Sequence, residues 1–167
     1  MGKKPKRGDK SSDPNHKVVA RNRQAFRNYF IEDRYEAGLV LRGSEVKSLR
    51  EGRANLGDSH GEIRGGELFL LNCHISPYPN ASYNNHEPLR ERKLLMHKQQ
   101  LRRIGVKLRE RGFTLVPLEM YFKDGWAKVE LGLAKGKKLH DKRDAVRDRD
   151  IKRDAHREIS DRQRDAR

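Results

Sequence analysis

Apolar and polar residues alternate most clearly over residues 113–133, on both sides of an Asp124-Gly125 pair. Alternation with a period of two is typical of a half-buried strand, and Asp-Gly between two such runs is typical of a tight β-hairpin turn. The pairs that this turn predicts on one face are Phe122 with Ala127, Met120 with Val129, Leu118 with Leu131, and Val116 with Leu133. All of them are apolar, so this face is expected to be buried.

The opposite face of the same hairpin carries aromatic and charged side chains. Its members are Glu119, Tyr121, Lys123, Trp126, Lys128 and Glu130. Rings that stack on bases beside lysines that meet phosphates are typical of a nucleic-acid surface. An ordinary solvated face, with Trp126 covering one end of the structure, stays open as the alternative. Glu119 opposite Glu130 requires a neighbouring cation, because like charges placed directly opposite each other are destabilising.

Shorter patterns predict the remaining elements. Strands are predicted at residues 18–21, 35–42, 62–64 and 67–75, with a second hairpin turn at Gly65-Gly66. Helices are predicted at residues 23–30 with Asn22 as cap, at 45–51 between Ser44 and Gly52, and at 97–111 before Gly112. Many short strands with a few helices favour a mainly β fold with α. The leading candidate is a small antiparallel β-barrel of the oligonucleotide-binding (OB) type with flanking helices, in which Pro117 lies at a strand edge or bulge.

Charge and composition divide the 167 residues into three parts. Residues 18–134 hold nearly all aromatic and branched aliphatic side chains and are the predicted folded domain. Residues 1–17 (six basic, two acidic) and the C-terminal tail, residues 135–167 (thirteen basic, eight acidic), are too polar to form a core and are expected to be disordered alone. A thin apolar stripe in the tail predicts a helix that forms only on a partner, and a solvated run of mixed charges stays open as the alternative. The formal net charge of +15 predicts a polyanionic partner, with nucleic acid as the first candidate and an anionic membrane as the second.

Sequence signals for catalysis, metals and membranes are weak. Cys73 and His74 are adjacent on a predicted strand and therefore point to opposite faces, which favours a packed thiol and a surface imidazole. The histidines show no metal-ligand spacing, no cofactor motif is present, and a metal-dependent nuclease is kept only as an alternative. No apolar run approaches the roughly 20 residues that span a bilayer, and the charged N-terminus does not resemble a secretory signal. A single cysteine favours a reducing cytoplasm.

Leu94 and Leu95 are expected to differ in burial. In a strand through residues 92–96 the two leucines face opposite ways, and in a helix Leu95 lies far from the stripe around Leu101 and Ile104. Either arrangement leaves Leu95 outside the core that holds Leu94. An exposed leucine in a basic stretch can touch sugar or base, although single surface leucines are also common.

Six short runs in order resemble a known family. They are YFIE (29–32), EAG (36–38), GSEVKSLR (43–50), RERKLL (90–95), GWAKV (125–129) and AKGKKLHDKR (134–143). Together they closely resemble the SmpB family, the SsrA-binding proteins of bacteria, over about residues 18–143. The resemblance implies a non-enzymatic, monomeric OB-type barrel that binds the tRNA-like domain of transfer-messenger RNA (tmRNA). It further implies delivery of alanyl-tmRNA with elongation factor Tu to stalled ribosomes, so that the nascent chain is tagged for degradation.

The resemblance also implies roles for individual residues. Asn22, Glu36, Leu95 and Lys128 match tmRNA-binding positions, and Tyr121 and Trp126 join them from the outward hairpin face. For Glu36 a purely structural role, pairing an arginine of the barrel, stays open. The segment implied to enter the decoding centre of the small ribosomal subunit comprises Gly136, Lys137, Lys138, His140, Asp141, Lys142 and Arg143, with His140 expected to stack on a ribosomal RNA base. The rest of the tail would form a helix in the empty mRNA channel.

Two other functions remain as alternatives at this stage. A ribosomal or ribosome-assembly protein with the same barrel would share the charge and the exposed aromatics. It would copurify with one ribosomal subunit in equal amounts, whereas a rescue factor would be scarcer and bound to tmRNA. A nuclease would degrade labelled RNA in the presence of a divalent metal.

Overall fold

A computed structural model describes residues 16–81 and 83–138, together with residue 151. The strands in these ranges are β1 (His16–Arg21), β2 (Tyr29–Leu39), β3 (Ala54–Asn55), β4 (His60–Arg64), β5 (Glu67–Leu71), β6 (His74–Ile75), β7 (Arg92–Leu95), β8 (Phe113–Lys123) and β9 (Trp126–Gly136). The helices of at least one turn are α1 (Ala25–Asn28), α2 (Gly43–Arg50) and α3 (Lys98–Arg109). Mainly β structure with flanking helices is therefore confirmed.

Antiparallel pairing closes the main sheet into a barrel. The sheet order is β1-β8-β4-β5-β7-β2-β9, and β9 also pairs with β8, so the strands from β8 to β9 form a ring. The ring closes between β4 and β8 through one pair, Gly61 with Leu115. Farther along, β8 pairs with β1 instead. The ring of paired strands is the small barrel that the sequence predicted. Its closure leaves the strands of the ring without open edges.

The predicted register of the β8–β9 hairpin is correct near the turn and wrong beyond a bulge. Asp124 and Gly125 both have positive φ, as a two-residue turn of this type requires, and Phe122 and Met120 face their predicted partners. The register shifts between Pro117 and Glu119. The observed pairs beyond the bulge are Pro117 with Leu131, Val116 with Gly132, and Leu115 with Leu133. Pro117 lies at a bulge, as predicted, since it has no N–H for a regular ladder.

The bulge gives the domain two apolar clusters. Met120 and Phe122 belong to the large cluster inside the barrel, together with Ile104 of α3. Leu118 and Val116 pack instead with Ala25 of α1 in a small second cluster. One long strand therefore contributes to both clusters, which fixes α1 against the end of the barrel where β9 terminates.

Several predicted boundaries need correction. Residues 29 and 30 belong to β2 and not to a helix, because β2 pairs with β9 as far as Tyr29 and Gly136. The run predicted as one strand at 67–75 is interrupted at Asn72, which has positive φ, and β6 pairs separately with β3. Ser44 does not cap α2; the Glu45 carboxylate accepts a hydrogen bond from the Arg42 N–H at 2.7 Å instead. Gly52 follows the C-cap of α2 with positive φ, as predicted, whereas α3 ends at Arg109, before the predicted end at Gly112.

The like-charge pair on the outward hairpin face has the cations that it was expected to need. Glu119 and Glu130 lie directly opposite each other. Arg21 of β1 lies 3.4 Å from Glu119, and Arg34 of β2 lies 3.4 Å from Glu130. The neighbouring strands on both sides therefore neutralise the pair.

The described strands extend slightly past residues 18–134. Lys17 lies in β1, while Lys135 and Gly136 lie in β9. The described residues do not include 1–15, 139–150 and 152–167. Two predictions concern these ranges: the disorder of both ends of the chain, and the tail helix that forms on a partner.

Candidate nucleic-acid interface

Three of the predicted RNA-binding side chains meet at one cleft on the outer face of the barrel. Gly38 of β2 pairs with Leu95 of β7 on one side and with Lys128 of β9 on the other. Glu36 lies two residues from Gly38 along β2, and therefore on the same face. The cleft has a volume of about 470 Å3 and is lined by Glu36, Gly38, Leu95, Met96, His97, Gln100 and Lys128. The strand register thus gathers side chains that are far apart in the sequence.

Glu36 accepts hydrogen bonds from two neighbouring strands. Lys128 donates its ammonium proton from 2.5 Å, and the Tyr121 hydroxyl donates to the other carboxylate oxygen. Burial opposes ionisation of Glu36, but the hydrogen bonds from Lys128 and Tyr121 outweigh it and lower the pKa of the carboxyl group. The partners of Glu36 are a lysine and a tyrosine of the barrel, not the arginine that the structural alternative named; a structural role for this carboxylate stays a prediction. Glu36 is held ionised at the cleft, where its remaining lone pairs can accept from base or ribose donors.

Leu95 forms an apolar wall beside this polar pair. Its side chain is 55% exposed, whereas Leu94 is buried in the barrel, as the strand alternation predicted. A β-carbon added to Gly38 would lie 3.6 Å from the Leu95 β-carbon, an ordinary contact distance. The cleft therefore combines a carboxylate, an ammonium group and exposed apolar surface over a floor without a side chain.

Tyr121 belongs to this site but not with the exposed ring that the sequence predicted. Its residue is only 3% exposed, and the His16 ring of β1 lies over it with ring centroids 4.2 Å apart. Burial, then the hydrogen bond to Glu36, raise the pKa of the Tyr121 hydroxyl. The expectation of a ring free to stack on RNA is wrong because β1 covers that part of β8. Tyr121 instead positions Glu36.

Trp126 is the exposed aromatic group of the hairpin. Its residue is 74% exposed and directly follows the β8–β9 turn, with Lys123 as its partner across the hairpin. Trp126 precedes Lys128 by two residues, so both project from the same face of β9, about 6.5 Å apart along the strand. The ring does not cover the barrel interior, and its open face is available for stacking.

Asn22 lies outside this cleft, and both the amide and the oxygen of its side chain make hydrogen bonds within the protein. It is 4% exposed, its amide donates to the Leu56 carbonyl at 3.0 Å, and its carboxamide oxygen accepts from the Ala25 N–H at 3.1 Å. The second contact reaches the first residue of α1, but the N-cap residue of this helix is Gln24 and not Asn22 as predicted. Asn22 lines a separate cleft of about 390 Å3 and is not brought together with Glu36.

The first residues of the predicted decoding segment are attached to the barrel. Gly136 pairs with Tyr29 at the end of β9. The Lys137 N–H donates to the Asn28 carbonyl at 2.9 Å, its ammonium donates to the Phe26 carbonyl at 3.1 Å, and that ammonium lies 4.8 Å from the centre of the Phe30 ring. Lys138 ends the described segment, and His140, Asp141, Lys142 and Arg143 lie outside the described residues. The place where the tail leaves the barrel is therefore fixed.

Other chemistry finds little support in the described part of the chain. Cys73 is buried and His74 exposed, as predicted, and burial raises the pKa of the Cys73 thiol to about 11. Residues 16–81 and 83–138 contain no group of three or more His, Cys, Asp or Glu side chains placed to hold a metal ion. None of the helices described is both long and apolar enough to cross a membrane.

Three residues that line the cleft were not predicted from the sequence as part of the site. Met96, His97 and Gln100 line the cleft at the junction of β7 and α3. Their position depends on where the strand ends and the helix begins, which the hydrophobic pattern did not locate. For Gln100 the sequence offered one indication. It is a polar residue in the first turn of a helix that begins shortly after Leu95.

Comparison with known proteins is consistent across sequence and structure. A family model described as SmpB protein matches residues 19–161. The SsrA-binding protein of Symbiobacterium thermophilum is 58% identical over 142 residues, covering 84% of this chain and 90% of its own length. That of Geobacter sulfurreducens is 56% identical over 138 residues, covering 83% and 90%.

A solved structure that is similar to this chain comes from the same family as these relatives. A chain described under "tmRNA-SmpB: a journey to the center of the bacterial ribosome" is 49% identical, with a TM-score of 0.64. The match covers 77% of this chain and 94% of that chain. Because the family match spans the barrel and most of the tail, this chain belongs to the SmpB family.

Proposed function

We propose that this protein binds the tRNA-like domain of tmRNA, the SsrA RNA, through the cleft formed by Glu36, Leu95 and Lys128. The observation that carries the proposal is the convergence at one outward cleft of these three side chains, which are far apart in the sequence and whose binding roles the family resemblance implies. The names of the relatives, SsrA-binding proteins at 56–58% identity, support the same RNA.

The cleft suits recognition of a folded RNA with unpaired nucleotides. Glu36 accepts hydrogen bonds from base amino groups or a ribose 2′-hydroxyl, a group that distinguishes RNA from DNA. Lys128 neutralises part of that carboxylate and presents positive charge to phosphate, while Leu95 packs against ribose or base. Trp126 extends the surface by stacking, which contributes about 1–3 kcal/mol per base.

We infer that binding serves trans-translation and that the protein itself is not an enzyme. In this function the barrel accompanies alanyl-tmRNA and elongation factor Tu to a stalled ribosome in the cytoplasm. Residues 136–143 would enter the decoding centre and the rest of the tail the mRNA channel. The fixed exit of the tail at Lys137 supports a defined direction for that segment.

The direct test measures affinity for the isolated tRNA-like domain across a salt series, with elongator tRNA as competitor. Lys128→Met is compared with Lys47→Met, which removes the same charge from α2, outside the cleft. We expect the first variant to lose selective affinity and the second to retain it. Equal, salt-labile binding of both RNAs, or equal effects of both variants, would contradict the proposal, because net charge alone would then explain binding.

The role of the tail is tested separately by ending the chain after Lys138. This end point leaves β9 and the Lys137 contacts intact, whereas ending after Ala134 would remove the residues that pair with Phe30 and Tyr29. We expect unchanged affinity for the tRNA-like domain and loss of tag addition on stalled ribosomes. Normal tagging by the shortened protein would overturn the assignment of the tail.

A further inference from the structure

A second cleft lies farther along the same pair of elements that bound the RNA cleft. The first cleft lies between Gly38 of β2 and Gln100 of α3. The second, about 580 Å3, is lined by Asp33, Arg34, Tyr35, Arg103, Val106 and Lys107. Both therefore share β2 as one wall and α3 as the other. We call the second cleft, with the stretch of β2 and α3 that joins it to the first, the α3–β2 groove.

Helix α3 is the most basic element described. Its residues from Lys98 to Arg109 include five basic and no acidic side chains. Two of these cations, Arg103 and Lys107, line the groove. Lys107 lies 3.2 Å from Glu110, whereas Arg103 is exposed and makes no ion pair with any residue that the structure describes. Arg103 is therefore the cation of the groove that is free to bind an external anion.

Tyr35 of β2 lines the same cleft as these two cations of α3, on the opposite wall. Burial and the Asp33 carboxylate raise the pKa of the Tyr35 hydroxyl, while Arg103 and Lys107 oppose the rise. Arg34 is already engaged by Glu130 at 3.4 Å. Val106 is 61% exposed at the mouth of the groove and offers apolar surface between the charges. Asp33 is the one acidic residue among those that line the second cleft, and it would weaken the binding of an anion there.

We propose that the RNA bound at the Glu36–Leu95–Lys128 cleft continues along the α3–β2 groove and places a backbone phosphate against Arg103, with Lys107 beside it and Val106 against the ribose. The inference rests on the proposed function. Arg34 lies two residues before Glu36, on the same face of β2 and about 6.5 Å away, so the groove begins within reach of the same RNA strand. The positive charge of α3 and its continuity with the cleft favour RNA over another protein as occupant.

The test compares two arginines of the same helix. Arg103→Gln removes the cation in the groove, and Arg102→Gln removes an equal, exposed charge that does not line it. Both are measured with the isolated tRNA-like domain across a salt series. We expect Arg103→Gln to weaken binding about threefold and to reduce the steepness of the log–log salt dependence by about 0.7–0.9, as for one lost phosphate contact. Arg102→Gln should leave that steepness nearly unchanged.

A second pair of variants tests the same phosphate from the opposite direction. Asp33→Asn removes the carboxylate on the groove wall, and Glu32→Gln removes one from the adjacent exposed position. We expect only Asp33→Asn to tighten binding, because it removes repulsion at the phosphate. Equal effects within each pair, or an unchanged salt dependence for Arg103→Gln, would overturn the inference.

Failure of this inference is distinguishable from failure of the proposed function. If Lys128→Met loses selective binding while Arg103→Gln behaves as wild type, the cleft binds tmRNA and the groove does not. If the wild-type protein shows no preference for the tRNA-like domain over elongator tRNA, the proposed function fails first.

Discussion

Tyr121 and Glu36, 85 residues apart, are joined by a hydrogen bond from the phenol to the carboxylate. The ring of Tyr121 is buried beside His16 of β1, and its hydroxyl donates to Glu36. This relationship means that a covered side chain of the outer face fixes the orientation of Glu36 before RNA arrives. Preorganisation of this kind reduces the ordering cost of binding.

Replacing Tyr121 with phenylalanine tests that relationship. The ring still packs, so stability should change little, but Glu36 loses a donor and its pKa should rise toward the ordinary value. A hydrogen bond to a charged group contributes about 1.5–3 kcal/mol at most, so a loss of RNA affinity of about fivefold is expected for this partly exposed pair. Affinity is measured with the tRNA-like domain, and the Glu36 titration by carboxyl NMR.

The pH dependence follows from the direction of the Glu36 shift. Because the folded pKa is lowered, the stabilisation from ionised Glu36 is present above the unfolded value and is lost as pH falls through the folded value. In the Tyr121→Phe variant the folded pKa lies closer to the unfolded value, so this loss should be smaller and should be complete at a higher pH than in the wild type. An unchanged Glu36 titration would show that the phenol does not hold the carboxylate.

The hairpin illustrates what local sequence predicted and where it failed. Turn chemistry and alternation located the pairs from Lys123–Trp126 to Glu119–Glu130 correctly. The bulge beyond them accompanies the packing of Leu118 and Val116 against Ala25 of α1, which no local pattern reveals. Pro117 was the available signal, and it indicated an irregularity without indicating its effect on register.

The candidate site shows a similar division. The opposite burial of Leu94 and Leu95 followed from strand alternation, but the meeting of Leu95 with Lys128 depends on the order β7-β2-β9. Tyr121 was misjudged because β1, which is distant in sequence, covers its ring. Residues whose exposure depends on non-local pairing are those that pattern reasoning alone places least well.

Trp126 provides a direct optical test of the RNA surface. It is the only tryptophan of the chain, so fluorescence from selective tryptophan excitation reports this ring alone. We expect quenching on addition of the tRNA-like domain, because a base stacks on the exposed ring. Trp126→Ala should lower RNA affinity by about 1–3 kcal/mol and change the free energy of unfolding by less than about 0.5 kcal/mol. Unchanged fluorescence at saturating RNA would exclude stacking.

A buried charge cluster holds β7, and with it Leu95, against α2. Glu45 is fully buried and lies 2.8 Å from Arg92 and 2.6 Å from Arg90. Arg92, also buried, donates further to the carbonyls of Cys73 and Pro88. The cluster therefore joins the strand that carries Leu95 to two other segments of the domain.

Removing the charge of Glu45 should destabilise the whole domain. Glu45→Gln leaves Arg92 buried without a counter-charge, which costs about 3–5 kcal/mol in such pairs. Glu67→Gln is the control, since its pair with Lys93 is exposed and should contribute less than about 1 kcal/mol. Urea unfolding of both variants measures the difference, and equal midpoints would contradict the assigned role of the cluster.

The same cluster should contribute to acid sensitivity. Burial opposes ionisation of Glu45, but hydrogen bonds from Arg90 and from the Arg42 N–H lower the pKa of its carboxyl group. Its stabilisation is therefore complete above the unfolded pKa of about 4.3 and is lost as pH falls through the lower folded value. The difference in unfolding free energy between wild type and Glu45→Gln should shrink over that acidic range.

Replacing glycine with alanine should lower the free energy of unfolding at one position, Gly61, and raise it at another, Gly105. A β-carbon at Gly61 would lie 2.7 Å from Leu115 Cδ2 and 3.1 Å from its Cγ, at the pair that closes the barrel. Leu115 is fully buried, so Gly61→Ala overpacks the core and should cost about 1–3 kcal/mol. At Gly105, inside α3, the nearest atom would be Ile63 Cδ1 at 3.7 Å, an ordinary contact.

Gly105→Ala should therefore stabilise the domain, because alanine restricts the unfolded chain and favours the helix by about 0.5–1 kcal/mol. Chemical denaturation of both variants and the wild type measures whether each substitution raises or lowers the free energy of unfolding. RNA affinity should be unchanged in Gly105→Ala, since Gly105 lines neither the cleft nor the α3–β2 groove. A stable Gly61→Ala variant would show that the β4–β8 closure is looser than the single Gly61–Leu115 pair implies.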